Sequence, residues 1–406
     1  MKKILFINQY GAPGKYHNFK RTAELASNFA KSGYEVVVLC SKTLHNSRNN
    51  IKFKNEMYDN VKYVYFKTIG YNNNFTRLIG MIQFSIKVYF YSLFKIKPDV
   101  VISSIQSIFA GLSGYYISRH FKVKHILEIR DLWPETLIQF GKTKRNSILS
   151  IILRTIEKKI YRKSDYIVPL MKNVELYFHD VLKIKKYGNV HHINNGVDFE
   201  KFKSLESKYS RGLFFNDSNI KNCVYTGSIG YANDIDLIIE TAKLALANKA
   251  NINFHFYGEG NLKNKYINYI SEKEISNVYF HDSIPYDQLP SLLHHSDVLL
   301  LTTRNIKLYS YGISMNKIFD YLSSDTPVIS TTLDTGDDII GRSGWYSVQP
   351  ENSEILFDNI VKAINLQPKE LIKKTRLANN FIKENYTYSI LSQKYLNIIT
   401  HIGVEE

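Results

Sequence analysis

Cysteine is almost missing: Cys40 and Cys223 are the two in 406 residues. They lie far apart, in or beside runs that read as strands, so they are expected as small core residues in a reducing compartment. A disulfide or a cysteine metal cluster is excluded. Long apolar runs are missing too, since no stretch reaches the roughly 18 clean apolar residues that would span a bilayer. The opening Met1-Lys-Lys-Ile-Leu-Phe-Ile-Asn-Gln has an apolar run of four residues, which reads as a first core strand and not as a signal peptide. The 12 histidines contain no H-E-x-x-H and no Cys/His ligand spacing, which argues against zinc. Acidic residues are in deficit, 37 against 53 Lys and Arg, for a formal charge of +16. Such a balance calls for an anionic partner: nucleic acid, a membrane surface or a phosphorylated ligand. No RNP-like aromatic strand, zinc finger or helix-turn-helix accompanies the charge, and the basic residues cluster beside aliphatic stripes.

What is present suits two α/β domains. Apolar residues make up 44% of the chain, enough for two cores. Ile4–Ile7 reads as a buried strand, followed by the loop Asn8–His17, a helix over Phe19–Lys31 and a strand at Val36–Leu39. This β-loop-α-β unit predicts a parallel sheet with right-handed crossovers. Gly11 and Gly14 do not make G-x-G-x-x-G, so the loop is read as a tight turn over a cleft. Val61–Phe66, Asp99–Ser103, His125–Ile129 and Asp165–Pro169 extend the first strand set. A connection with turn chemistry at Asn195–Gly196 precedes a second set: Asn222–Tyr225, Phe254–Tyr257, Val278–Phe280, Val298–Leu301 and Val328–Ser330.

Two amphipathic stretches combine aliphatic residues with Lys and Arg: Arg77–Lys97 and Gly141–Lys163, the latter with Ile148, Ile151, Ile152, Ile156 and Ile160 in one stripe. Each reads either as a core-facing helix with a solvated face or as a helix resting on anionic lipid. Glu128-Ile-Arg-Asp-Leu-Trp-Pro-Glu135 puts charge at the carboxyl end of a parallel strand, where open α/β sheets bind ligands. Arg130 and Asp131 are therefore expected to face a cleft, with a surface salt-bridge cluster as the alternative.

The chain is organised around Tyr309–Thr331, read as loop, helix, turn and buried strand, with Ser314 as N-cap. A helix start offers free N–H groups and a positive dipole end, suited to phosphate. Lys317 opposes that dipole, which calls for an anion there; Asp320 follows one turn after Asn316, where a carboxylate can hold sugar hydroxyls. An ordinary capped helix in a core is the alternative. The only Asp-x-Asp, Asp234-Ile-Asp236, opens a helix and is read as complementing its dipole.

Taken in order, Asn195-Gly-Val-Asp198, Thr226-Gly-Ser-Ile-Gly230, Phe256-Tyr-Gly-Glu-Gly260 and Gly312-Ile-Ser-Met-Asn-Lys-Ile-Phe-Asp-Tyr321 before Pro327-Val-Ile329 resemble family 4 retaining glycosyltransferases of GT-B fold. Glu128–Glu135, with Ile7-Asn-Gln-Tyr10, resembles the branch that contains fucosamine transferases of O-antigen and capsule synthesis. The resemblance implies two doubly wound Rossmann-like domains facing a central cleft. Residues 1–190 would be the acceptor side, 191–382 the nucleotide-sugar side, and 383–406 a helix crossing back to the first domain. It further implies a donor diphosphate on Gly312, Ser314, Asn316 and Lys317, with Asp320 on the ribose. Ser228, Gly230, Gly258, Glu259, Ile284 and Arg304 complete the donor side. Gly14, His17, Arg130, Asp131 and Trp133 form the acceptor side, and Arg130, Asp131 and Lys317 are the catalytic candidates.

Two departures stand out. Gly312 takes the place of the first acid of the family's pair, and the basic residue expected after the Gly227–Gly230 loop is missing, a charge that Lys317, assisted by Arg304, would replace. No residue in Ser103–Gln106 matches the family's histidine. The implied reaction is retaining, metal-independent transfer of a sugar, an N-acetylated amino sugar, from a UDP-sugar, with no further cofactor. The implied acceptor is a polyisoprenyl-diphosphate-linked saccharide or a growing surface polysaccharide, on the cytoplasmic face of the cell membrane. The competing readings are a non-hydrolysing UDP-sugar epimerase of the same fold and a basic nucleic-acid-binding protein.

Overall fold

Strands buried on both faces need helices on both faces, and the apolar runs of this chain form two sheets of that kind. The computed structural model describes residues 1–15, 20–42, 54–70, 73–332 and 338–402. Two units result, one of residues 1–194, 311–313 and 388 onward, the other of 195–310 and 314–387. The first unit runs β1 (Lys3–Ile7), α1 (Lys20–Lys31), β2 (Glu35–Ser41), β3 (Glu56–Tyr58), β4 (Val61–Phe66), α2 (Asn74–Lys95), β5 (Val100–Ile105) and α3 (Ile108–Phe121). It continues with β6 (Lys124–Ile129), α4 (Glu135–Gln139), α5 (Ile148–Lys163), β7 (Tyr166–Pro169), α6 (Val174–Tyr177) and β8 (Asn189–Val190). The sheet order is β3-β4-β2-β1-β5-β6-β7-β8, parallel except for the β3–β4 hairpin. Asp59 and Asn60 close that hairpin with positive φ, the geometry a two-residue turn demands.

The second unit runs α7 (Phe199–Leu205), β9 (Lys221–Thr226), α8 (Ile235–Ala247), β10 (Ile252–Tyr257), α9 (Lys263–Glu272), β11 (Val278–His281), α10 (Leu289–His295) and β12 (Val298–Thr302). Then come α11 (Asn316–Ser323), β13 (Val328–Thr331), α12 (Ile339–Arg342), β14 (Tyr346–Ser347), α13 (Ser353–Ile364) and α14 (Pro368–Asn385). Its sheet, β11-β10-β9-β12-β13-β14, is parallel throughout. The strand order reverses between β1 and β5 in one unit and between β9 and β12 in the other. Such switch points open a crevice at the strands' carboxyl ends.

The first unit extends four residues past the expected 190, and no continuous helix begins at Lys383. The helix α14 ends at Asn385, Thr387 makes a parallel bridge with Val197, and α15 (Tyr388–Ile402) packs on α1 within the first unit. A buried ion pair anchors that last helix. The Arg21 guanidinium of α1 donates to Glu128 Oε2 at 2.8 Å and to the Ile193 carbonyl at 2.9 Å. The Tyr395 hydroxyl of α15 donates to the same Glu128 oxygen at 2.5 Å, and Ser104 donates to the other at 2.9 Å. Each unit also holds one buried thiol, Cys40 in β2 and Cys223 in β9, pushed well above the ordinary thiol range by burial.

Candidate functional site

In the second unit the glycine loop after β9 lies at the switch point and meets the loop after β10. Gly227 N–H donates to the Tyr257 carbonyl and Ile229 N–H to that of Glu259, both at 2.9 Å. The two backbones approach so closely that a Cβ on Gly258 would lie 1.9 Å from the Gly227 oxygen, and one on Gly260 2.0 Å from the Ile229 oxygen. Gly258 thus acts through backbone approach, while Gly230 has room for a side chain. Phenols pin the first loop: Tyr225 donates to the Ser228 carbonyl at 2.8 Å, and Thr226 N–H donates to the Tyr321 hydroxyl at 2.7 Å. Gly227 and Ser228 remain exposed at the tip.

The half-buried Lys317, in the first turn of α11, crosses to this loop. Its ammonium sits 4.0 Å from the centre of the Tyr225 ring, 3.4 Å from Asn233 Oδ1, and 3.4 Å from where a Cβ on Gly227 would be. Desolvation outweighs the cation–π attraction and pulls Lys317 down to about 7. A cation at the positive end of a helix, without an ion pair among the described residues, is placed to receive an anion. One turn on, Asp320 is buried and accepts from the Tyr286 hydroxyl at 3.3 Å. Asn316 is exposed at the helix start and Ile284 is half-buried beyond β11.

Several expected roles change. The N-cap of α11 is Met315, without a side-chain bond; the Ser314 hydroxyl instead accepts from Asn195 N–H at 3.1 Å. Arg304 is engaged by acids and a carbonyl of its own. It ion-pairs with Asp236, lies 3.6 Å from Asp234, and donates to the Tyr231 carbonyl at 2.8 Å. The Asp-x-Asp therefore answers an arginine, and Asp234 makes no side-chain capping bond. Glu259 is paired with Lys263 at 2.9 Å, and Lys263 also holds Asp282 at 2.8 Å. Gly312 has φ +114°, and its Cβ position lies 2.8 Å from the Lys172 nitrogen, so no carboxylate fits there. Glu206, His294 and Asp325 have metal-ligand spacing, but the Lys203 ammonium already bridges Glu206 and Asp325 at 3.0 and 3.1 Å.

In the first unit the charged motif divides. Glu128 belongs to the Arg21 pair, and Glu135 is held by Arg145 and Arg154, each at 2.6 Å. Between them, Arg130 is half-buried and Asp131 is exposed. Desolvation by the surrounding protein raises the Asp131 carboxyl, opposed by Arg130 and Arg77. Trp133 is half-buried, Gly14 would accept a side chain without a clash, and His17 lies outside the described residues. Sequence reasoning placed the loop after β1 over a cleft but singled out none of the buried polar residues at the carboxyl ends of β1 and β5. There both polar atoms of the buried Gln9, together with Gln106 Oε1 and Ser107 Oγ, are buried with no hydrogen-bond partner among the described residues. His125, bracketed by Ser103 and Ser164 at 2.7 and 3.0 Å, is a core residue lowered to about 3 by burial.

Residues 20–201 match the model of Glycosyltransferase Family 4, and residues 220–365 that of Glycosyl transferases group 1. The chain is a glycosyltransferase. An uncharacterized glycosyltransferase of Methanocaldococcus jannaschii is 23% identical to it over 336 residues, covering 79% of this chain and 80% of the relative. Sucrose-phosphate synthase from Thermosynechococcus elongatus superposes with a TM-score of 0.78 at 13% identity, covering 100% of both chains. HepE of Anabaena, in complex with UDP and glucose, superposes with a TM-score of 0.70 at 13% identity, covering 99% of this chain and 100% of that one. The glycosyltransferase therefore has the GT-B fold, built from two Rossmann-like domains.

Proposed function

We propose that the enzyme transfers a sugar, an N-acetylated amino sugar, from a UDP-sugar with retention of configuration. The acceptor is a polyisoprenyl-diphosphate-linked saccharide or a growing surface polysaccharide. One observation carries the donor half: the Lys317 ammonium beside Gly227 at the start of α11. A diphosphate there meets free N–H groups and a cation, so the charge of the departing UDP is stabilised without a protein nucleophile. The UDP bound by HepE supports this donor. Asp320, steadied by Tyr286, is suited to hold the ribose. Arg130 and Asp131, at the carboxyl end of β6 next to β5, are the candidates for acceptor hydroxyls, and the unpaired polar atoms of Gln9, Gln106 and Ser107 lie buried at the ends of β1 and β5. Incubation with a panel of UDP-sugars and lipid-linked saccharides in the presence of a chelator tests the reading. Anomeric NMR of the product should report retention; an inverted product, or no transfer without added metal, would overturn it.

Asp320→Asn should raise the donor KM about tenfold with kcat little changed, consistent with the loss of a hydrogen bond to a charged group worth about 1.5 kcal/mol. Tyr286→Phe should move KM in the same direction by less. A large fall in melting temperature with unaltered donor kinetics would make Asp320 a structural residue.

The acceptor half has its own support. The helix α2 buries Met81, Phe84 and Val88 and exposes Phe75, Ile82, Ile86, Phe90 and Phe94 along one stripe. In α5, Leu153 and Ile160 turn inward while Ile148, Leu149, Ile151 and Ile152 stay exposed. Part of the expected stripe is thus core: Ile160 is buried, and Arg154 turns inward to Glu135 and Glu157. Lys142, Lys144, Lys159 and Arg162 remain on the surface beside the exposed face. Exposed apolar rows bordered by cations suit the cytoplasmic face of an anionic membrane. Each basic residue near such a surface contributes about 1 kcal/mol, so reversing Lys144, Lys159 and Arg162 to Glu should weaken binding to anionic vesicles by a hundredfold or more. Co-sedimentation should also fall with added salt, leaving an apolar remainder. Equal binding to neutral and anionic vesicles would contradict this attachment.

A further inference from the structure

Beside the charged motif, the first unit contains a cavity of about 230 Å³ that no role described so far uses. Its wall is apolar: Leu78 and Met81 from α2, Leu149 and Leu153 from α5, and the Trp133 ring between them. Arg77 and Lys142 carry the formal charges among its described lining residues. The cavity is too small for a sugar nucleotide, since pockets for compact ligands of that size run to about 300–1,000 Å³. A short length of a single hydrocarbon chain fits it.

Continuity identifies the occupant. Phe75 and Leu149 belong both to the cavity wall and to the exposed apolar surface of α2 and α5, so a chain leaving the cavity stays on apolar ground. On its other side the cavity is walled by Trp133, two residues after Asp131 in the chain, and the Arg77 charge opposes the rise of the Asp131 carboxyl. A ligand with its chain against Trp133 and Leu153 and an anionic head near Arg77 and Lys142 would thus present its head at the acceptor candidates. We propose that this cavity holds the head-proximal isoprenoid units of a polyisoprenyl phosphate-type acceptor, its phosphate paired with Arg77 and Lys142. The inference rests on the lipid-linked acceptor of the preceding reading and gives it an address.

The test uses the full-length protein and geranyl monophosphate, which carries two isoprene units and a phosphate. Titration should shift the intrinsic fluorescence saturably, and the shift should vanish in Trp133→Phe, which leaves Trp345 as a silent control. Geraniol, without the phosphate, should bind at least tenfold more weakly, and Lys142→Glu should weaken the phosphate ligand by a similar factor. Leu149→Phe and, independently, Leu78→Phe narrow the cavity from opposite helices; each should weaken geranyl phosphate at least tenfold while UDP affinity measured by calorimetry stays unchanged. Lys317→Ala should leave the Trp133 response intact, so failure of the donor assignment and failure of the cavity assignment are separate results. An unsaturable shift, a shift that persists in Trp133→Phe, or equal affinity for geraniol would overturn the proposal. So would a matching Trp133 response to phosphatidylglycerol vesicles, which would make bilayer lipid the occupant.

Discussion

Replacing Lys317 with alanine should weaken UDP binding by about 1.5–3 kcal/mol, roughly 10- to 150-fold, the scale of a lost charge-assisted hydrogen bond to phosphate. The free ammonium is already strained toward neutrality, at about 7, because desolvation outweighs what Tyr225 and Asn233 return. Bound diphosphate favours the charged form, so binding is coupled to proton uptake. Below pH 7 the lysine is charged in the free enzyme and UDP meets a prepared site. As pH rises above 7 the free enzyme loses that proton, and each further unit costs binding up to 1.4 kcal/mol until the pKa of the bound state is reached. Affinity should therefore fall between pH 7 and 9 in the wild type, and Lys317→Arg should flatten the profile because a guanidinium stays charged. Calorimetry in buffers of different ionisation enthalpy would count the protons. Unchanged affinity in a folded Lys317→Ala variant would remove the phosphate site from α11.

Glu128→Ala should destabilise the first unit by about 3–5 kcal/mol, the usual cost of stranding one partner of a buried ion pair. Arg21 would keep its carbonyl contacts but lose its counter-charge, and Tyr395 would lose its acceptor. Loss of the Tyr395 bond loosens α15 as well, so hydrogen exchange should rise there before it rises in the second unit. Replacing both charges, as in Arg21→Met with Glu128→Leu, should recover part of the loss. The pH dependence has a definite sign. Although burial alone would raise Glu128, Arg21 and the surrounding donors hold it below the usual carboxylate range. The pair's contribution is present above the ordinary carboxylate pKa and disappears as pH falls through the lowered one. Urea melts at pH 7 and at acid pH, followed by near-UV dichroism, would check both statements. A transition in Glu128→Ala that matches the wild type would make the pair incidental.

The sheets were legible in the sequence because buried parallel strands are written as unbroken apolar runs, and Ile4–Ile7, Val36–Leu39 and Val298–Leu301 needed no further cue. Short edge strands escaped: Glu56–Tyr58 and Asn189–Val190 are half-exposed and carry no apolar run. Helix position was legible where period governed and lost where tertiary contacts did. Ser314 has cap chemistry, but its hydroxyl is taken by the backbone of Asn195, 119 residues away in sequence. The same distance problem hid the use of Arg304, whose acids lie 68 and 70 positions back; Arg154 was hidden instead by looking like one more surface cation on a basic helix. Arg21 gave no signal at all, since arginine is rarely buried without a partner and its partner lies 107 residues on. Lys317, in contrast, stood out because a lysine in a first helical turn opposes the local field.

The placement of the two thiols supplies a readout of opening in each half of the protein. Cys40 and Cys223 lie in central strands of different units, and each is held protonated and covered. Neither reacts until its own sheet opens, so the rate of alkylation at each, resolved by peptide mass, is a clock for one unit alone. Destabilising the Arg21–Glu128 pair should quicken the clock at Cys40, and UDP should slow the one at Cys223. Engineered surface cysteines for dyes or spin labels can be added without removing either native thiol.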